Sequence, residues 1–220
     1  GQAAVKFLEQ MLKDESILGI YWGSTMHEMA TSVSSSTKRN KIVVQLNGGI
    51  SRADDNTRPS EITRQISESY RAEPWLLPLP AIVDSADLQK AIVGEKNISR
   101  TLAVARKADI AMYTIGSFNQ ESVLVKAGYF EKKEVQTLLK QGAVADICSR
   151  IINTGGNICS EELNDRTIGI ELDELKAKTW SIAVAGGREK LNAVKAALKG
   201  KYFNVLITDE WIAGELIYNH

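Results

Sequence analysis

Trp22-Gly23-Ser24-Thr25 sets one glycine and two hydroxyls between an apolar run, 17–22, and a helix-forming segment. Glycine lets backbone approach a ligand and adopt positive φ. The helix behind it offers unpaired N–H groups and the positive end of its dipole, which together suit an anion such as phosphate. The same residues also serve as an ordinary strand-to-helix turn with Ser24 or Thr25 as N-cap. Asn47-Gly48-Gly49 follows a second apolar run, 42–46, and reads either as another ligand loop or as a tight primed turn. Gly116-Ser117 and Gly186-Gly187 close the runs 110–115 and 180–185. Lys190 either reaches back toward a phosphate at the last of these turns or faces solvent. Asp146 sits inside the apolar stretch 143–152. A carboxylate there needs a partner, which a sugar hydroxyl, Arg150 or Arg166 would each supply.

The chemistry these residues do not offer is equally defined. The two histidines are His27 and the terminal His220, so a histidine-dependent triad has only His27 to draw on. There is no G-x-S-x-G elbow, no Walker A loop and no zinc spacing. No catalytic residue, metal site or cofactor is expected. A sugar isomerase or deaminase remains the alternative, with Asp84 or Asp146 as nominal general base.

Elements that would position these groups follow from periodicity. Continuous apolar strands alternating with helices indicate a parallel sheet covered on both faces. Ala4, Leu8, Met11 and Leu12 share a helix face. Further helices are expected over 61–71, 98–107 (capped by Asn97), 131–141 (ended by Gly142), 188–198 (ended by Gly200) and from about residue 209, with a short strand at 204–207. The proline-punctuated stretch 74–80 suits an edge strand. Thr154-Gly155-Gly156-Asn157 suits a hairpin turn between 143–152 and 158–160. The fold class is therefore α/β and Rossmann-like, a mostly parallel sheet with helices on both faces, in one domain over 1–220. In such sheets ligands bind beyond the carboxyl ends of the strands, where all four glycine turns would gather.

Composition is consistent with this. The 220 residues carry 27 basic and 27 acidic side chains, for a formal net charge of zero. A domain gripping nucleic acid directly would carry a basic stripe, and none is visible. Cys148 and Cys159 lie among apolar neighbours and read as free thiols. No apolar run reaches the length of a membrane span, and the first ten residues lack a signal-peptide core, so a cytoplasmic location is expected.

The same residues carry a resemblance. Ile20-Tyr-Trp-Gly-Ser-Thr-Met26, Val43-Val-Gln-Leu-Asn-Gly-Gly-Ile-Ser51, Gly128-Tyr-Phe130, Asp146-Ile-Cys-Ser-Arg150, Gly156-Asn-Ile-Cys159, Asn164-Asp-Arg-Thr-Ile-Gly169 and Val184-Ala-Gly-Gly187 resemble, in order and over almost the whole chain, the sugar-binding domain of the SorC family of transcription regulators. The likeness is strongest to its Bacillus-type deoxyribonucleoside-regulator branch. It implies a fold like that of sugar-phosphate isomerases and glucosamine-phosphate deaminases. It also implies a helix-turn-helix domain before residue 1 that meets operator DNA, and a homo-oligomer, dimer or tetramer, whose assembly or DNA affinity a phosphorylated sugar controls. Carried over by motif, Gly23, Ser24, Thr25, Gly49 and Lys190 would hold phosphate. Gln45, Asn47, Gly48, Asn56, Thr57 and Asp146 would meet the sugar. One departure is informative: the deoxyribonucleoside branch has a lysine, able to form a Schiff base, where this sequence has Asn47. An amide has no nucleophilic amine, so the resemblance implies a noncovalently bound sugar phosphate here.

Overall fold

The computed structural model describes residues 1–33, 41–49 and 59–218. Its elements in chain order are α1 (Gln2–Met11), β1 (Ile17–Ile20), α2 (Ser24–Ser32), β2 (Ile42–Gln45), α3 (Pro59–Ser69), β3 (Glu73–Trp75), α4 (Ala86–Gly94), α5 (Lys96–Arg106), β4 (Ile110–Ser117), α6 (Val123–Lys126), α7 (Lys132–Lys140), β5 (Ala143–Ile147), β6 (Arg150–Asn153), α8 (Glu161–Asp165), α9 (Leu172–Lys176), β7 (Trp180–Val184), a 3-10 turn (Arg188–Lys190), α10 (Leu191–Lys199), β8 (Val205–Ile207) and α11 (Glu210–Tyr218).

Six strands run parallel in the order β3-β2-β1-β4-β7-β8, and helices flank them. The central strands are buried along their length rather than at alternate residues, as in a sheet covered on both faces. The chain winds from β1 through β2 to β3 in one direction and from β4 through β7 to β8 in the other. The switch of direction falls between β1 and β4, and their carboxyl ends flank a ready-made crevice.

β4 has eight residues where its parallel neighbours have three to five. Its first half pairs with β1 and β7, and residues 115–117 run past the parallel sheet to pair antiparallel with β5. β5 then turns directly into β6, with Ile147 opposite Arg150 and only Cys148 and Ser149 between. The apolar stretch 143–152 is therefore two strands of a hairpin, not one. The expected turn at residues 154–157 is present, with Asn153 Oδ1 accepting from Gly155 and Asn157 N–H, but beyond it only Ile158 bridges back, to Ile152.

Local expectations are corrected at three further points. α5 is capped by the Glu95 carboxylate, which accepts from the N–H groups of Asn97 and Ile98, rather than by Asn97. The segment 188–198 begins as a 3-10 turn before α10. Gly200 closes α10 with helical φ, and Lys201 takes the positive φ. Gly142, by contrast, takes φ +86 just after α7, as a C-terminal glycine does. The stretch after residue 72 supplies β3 at the sheet edge, parallel to β2.

Candidate functional site

At the β1/β4 switch lies a crevice of about 340 Å³. Tyr21, Trp22, Gly23 and Ser24 line one side, Thr114, Gly116 and Ser117 the other, and Ser122, Asp146 and Lys190 close it.

Its anionic-ligand end is the turn from β1 into α2. Gly23 holds φ +132, a conformation L side chains rarely adopt. His27 N–H makes the bond to Gly23 O at 2.9 Å, so the N–H groups of Ser24, Thr25 and Met26 precede the helical ladder and face out from its end. Ser24 is exposed and Thr25 half-buried. Lys190 is half-buried. Burial holds its ammonium below the ordinary lysine range, against the opposing pull of Glu189 and Asp146.

The other end is lined with hydrogen-bonding groups. Thr114 Oγ1, Ser122 Oγ and Asp146 Oδ1 are buried and have no hydrogen-bond partner among the described residues. Buried polar groups are normally paired, so three such atoms on residues lining one crevice point to a ligand rich in hydroxyls. Asp146 Oδ2 accepts from the Tyr21 hydroxyl at 3.2 Å. Burial pushes the Asp146 carboxyl up to about 7, although Tyr21, the Ser149 backbone and Lys190 all pull it down. Neither arginine offered as its partner takes that role. Arg150 donates to Glu171 Oε1 at 2.7 Å, and Arg166 to Glu134 Oε1 at 2.7 Å. Asp84 lines a separate hollow of about 600 Å³ with Arg166 and Glu134, away from this crevice.

The Asn47-Gly48-Gly49 turn forms structure behind the crevice rather than an open loop. Asn47 bridges Gly169, Gly48 N–H donates to Ile168 O at 3.0 Å, and Gly49 N–H donates to Leu79 O at 2.8 Å. With its N–H so committed, Gly49 does not offer it to a phosphate. Gly48 O instead accepts from Trp22 Nε1 at 2.8 Å, and the Trp22 ring stacks on Tyr21. The turn thus braces the crevice wall. Gln45 is also drawn aside: Leu77 N–H donates to its Oε1, and its buried Nε2 lacks a partner. Asn47 is fully buried, with Nδ2 donating to Ser149 Oγ at 2.8 Å and Oδ1 without a partner among the described residues. Asn56 and Thr57 lie outside the described residues.

Of the residues expected from sequence, Gly23, Ser24, Asp146 and Lys190 converge on the crevice, with Thr25 beside them at the start of α2. Tyr21, Thr114, Ser122 and Ser149 were not expected. Thr114, a polar side chain inside the apolar run 110–115, carried a readable signal, and so did Tyr21 beside the glycine turn. Ser149 did not, because its position depends on the hairpin.

A sheet wound outward from β1 and β4, with a polar crevice at the switch, defines a small-molecule-binding α/β domain. The chain belongs to the family described as "Putative sugar-binding domain", whose model matches residues 1–218. It is 41% identical over 212 residues to the deoxyribonucleoside regulator of Bacillus subtilis, covering 96% of this chain and 67% of that one. It is 31% identical to the transcriptional regulator YjhU of Escherichia coli, covering 98% and 66%. Among solved structures, a domain of a possible sugar-binding transcriptional regulator from Arthrobacter aurescens superposes with a TM-score of 0.89 at 26% identity, covering 98% of this chain and 83% of the other. The chain spans about two thirds of the length of the two regulators it matches. The two curated relatives are named as regulators, and the solved one as a possible sugar-binding transcriptional regulator. Among the described residues, no helix is long and apolar enough to cross a membrane.

Proposed function

We propose that this domain is the effector sensor of a cytoplasmic transcription regulator. It binds a phosphorylated sugar noncovalently in the β1/β4 crevice, without turnover. The observation that carries this reading is the pairing, in one crevice, of an open helix N-terminus and Lys190 with three buried, unpartnered polar atoms on Thr114, Ser122 and Asp146. The first set suits a phosphate, the second a run of hydroxyls. Relatives named as a deoxyribonucleoside regulator, a sorbitol operon regulator and an erythritol catabolism regulator support the same ligand class. In the full-length protein, operator DNA would be held by a helix-turn-helix domain N-terminal to residue 1. Effector would shift homo-oligomer assembly or DNA affinity, to the extent that it binds one state more tightly than the other.

The test is thermal melting against a panel of sugar phosphates, including ribose 5-phosphate and glucosamine 6-phosphate, beside their unphosphorylated counterparts. At ~100-fold excess over its Kd, a ligand of the folded state adds about 2.7 kcal/mol, raising Tm by roughly 5–10 °C in a domain of this size. A flat panel overturns the reading. A second reading, an isomerase or deaminase with Asp146 as general base, draws on that carboxyl's position in the crevice and its midpoint of about 7. Turnover of either sugar phosphate well above background would establish it.

A further inference from the structure

The β5–β6 turn breaks a local rule. Cys148 and Ser149 form a two-residue hairpin loop with φ +51 and +66, both in the left-handed region. A primed turn of this kind matches the twist of the strands it joins, but it normally takes Asn-Gly or Asp-Gly. Residues other than glycine held there carry backbone strain, and such strain clusters at functional sites.

The side chain gained is the Ser149 hydroxyl, which is fully buried. Asn47 Nδ2 donates to Ser149 Oγ at 2.8 Å, Ser149 Oγ lies 3.5 Å from the Tyr21 hydroxyl, and Tyr21 donates to Asp146 Oδ2 at 3.2 Å. When Asp146 is ionised, the direction of this chain is fixed at both ends. An amide nitrogen only donates, an ionised carboxylate only accepts, and each hydroxyl between them has one proton. Protons therefore point one way, from Asn47 through Ser149 and Tyr21 to Asp146. Each bond in such a series polarises the next.

We infer that Ser149 and Tyr21 are positioning residues that hold the Asp146 carboxylate as an acceptor, so that its unpartnered Oδ1 selects a hydroxyl donor on the effector over a carbonyl or phosphate oxygen. The charged and titratable groups around Asp146 come from four directions. They are Tyr21 after β1, Cys148 in the turn, Lys190 and Glu189 in the 3-10 turn, and Glu121 at the crevice edge. Only Tyr21 among them donates a side-chain hydrogen bond to the carboxylate in the described structure. This inference rests on the crevice being the effector site, but its test needs no effector.

The experiment is carbon-detected NMR titration of the Asp146 carboxyl in the ligand-free domain, from acid to pH 9. Tyr21→Phe removes the donor directly and should raise the midpoint by about one pH unit. Ser149→Ala removes a hydroxyl that does not itself bond the carboxylate, and should raise it in the same direction by a smaller step. Ser149→Gly should do likewise while relaxing the positive φ, so a folded variant is in hand even if the alanine form is unstable. Both variants keep the Ser149 backbone group that also pulls the carboxyl down, and agreement between the strained alanine form and the relaxed glycine form assigns the shift to the lost hydroxyl; a merely structural serine would change melting and leave the Asp146 midpoint in place. Ser149 variants that titrate at the wild-type midpoint overturn the proposal, whatever the sugar-phosphate panel shows. Shifted midpoints with a flat panel would sink the effector reading alone.

Discussion

Asp146 Oδ2 takes a hydrogen bond from the Tyr21 hydroxyl at 3.2 Å, while the buried Oδ1 takes none among the described residues. A carboxylate so placed is costly to ionise, and burial pushes it up to about 7 from its ordinary value near 3.8. Between those two values the folded state binds a proton that the unfolded state has lost. Stability from this group is therefore present below about pH 4 and declines as pH rises to about 7. Asp146→Asn removes the ionisation. It should raise Tm at pH 5 and raise it by clearly more at pH 8, while weakening any effector that uses Oδ1. Melting curves of the two proteins at both pH values check this, and parallel curves would contradict it. A residue whose removal stabilises the fold is one kept for binding.

The anion end makes a separate claim. Lys190 is half-buried, and a charge-assisted bond from such a lysine to a phosphate contributes about 1.5–3 kcal/mol. Lys190→Ala should therefore weaken a sugar phosphate by about 10- to 100-fold, and should leave the binding of its unphosphorylated counterpart nearly unaltered. Calorimetric titration of the two ligands separates the cases. Equal losses for both would mean that Lys190 shapes the crevice rather than meeting phosphate.

How much of this was legible in the sequence depended on whether the signal was local. The parallel strands were readable because a sheet buried on both faces leaves continuous apolar runs, and the Gly23 turn was readable because strand, glycine, hydroxyl and helix are adjacent. For Gly49 the sequence left a ligand loop and a tight turn both open, because the destination of its N–H, Leu79 O, lies 30 residues away. The β5–β6 hairpin was hidden because Cys148-Ser149 carries none of the usual turn residues. With it went Ser149, whose partners Asn47 and Tyr21 are 102 and 128 residues distant. Asp146 was recognised as needing a partner, but its actual donor, Tyr21, lies 125 residues away in the chain.

Asn47 bears on the chemistry of binding. It is fully buried and its Nδ2 is occupied by Ser149, and an amide cannot form an imine with an aldehyde. Incubation with ribose 5-phosphate and borohydride should leave the intact mass unchanged by any stoichiometric, site-specific adduct. A single adduct mapping to the crevice would show that another amine, with Lys190 the nearest candidate, takes the covalent role.

Arg150 tests what holds the crevice wall. Its side chain is fully buried, whereas that of its ion-pair partner Glu171 is 50% exposed. The guanidinium also donates to the carbonyl oxygens of Ile170 at 2.8 Å and Asn164 at 3.2 Å, and to Asn164 Oδ1 at 2.5 Å. These bonds pin the segment from 164 to 171, which contains Gly169, the residue bridged to Asn47. A half-exposed ion pair contributes only about 0–1 kcal/mol, so Glu171→Gln should cost little. Arg150→Met strands several buried acceptors at once and should cost about 3–5 kcal/mol, lowering Tm by roughly 10 °C. Denaturant melts of both variants decide the point. Equal destabilisation would assign the effect to the ion pair; a large loss for Arg150→Met alone assigns it to the carbonyls that the arginine gathers beneath Asn47.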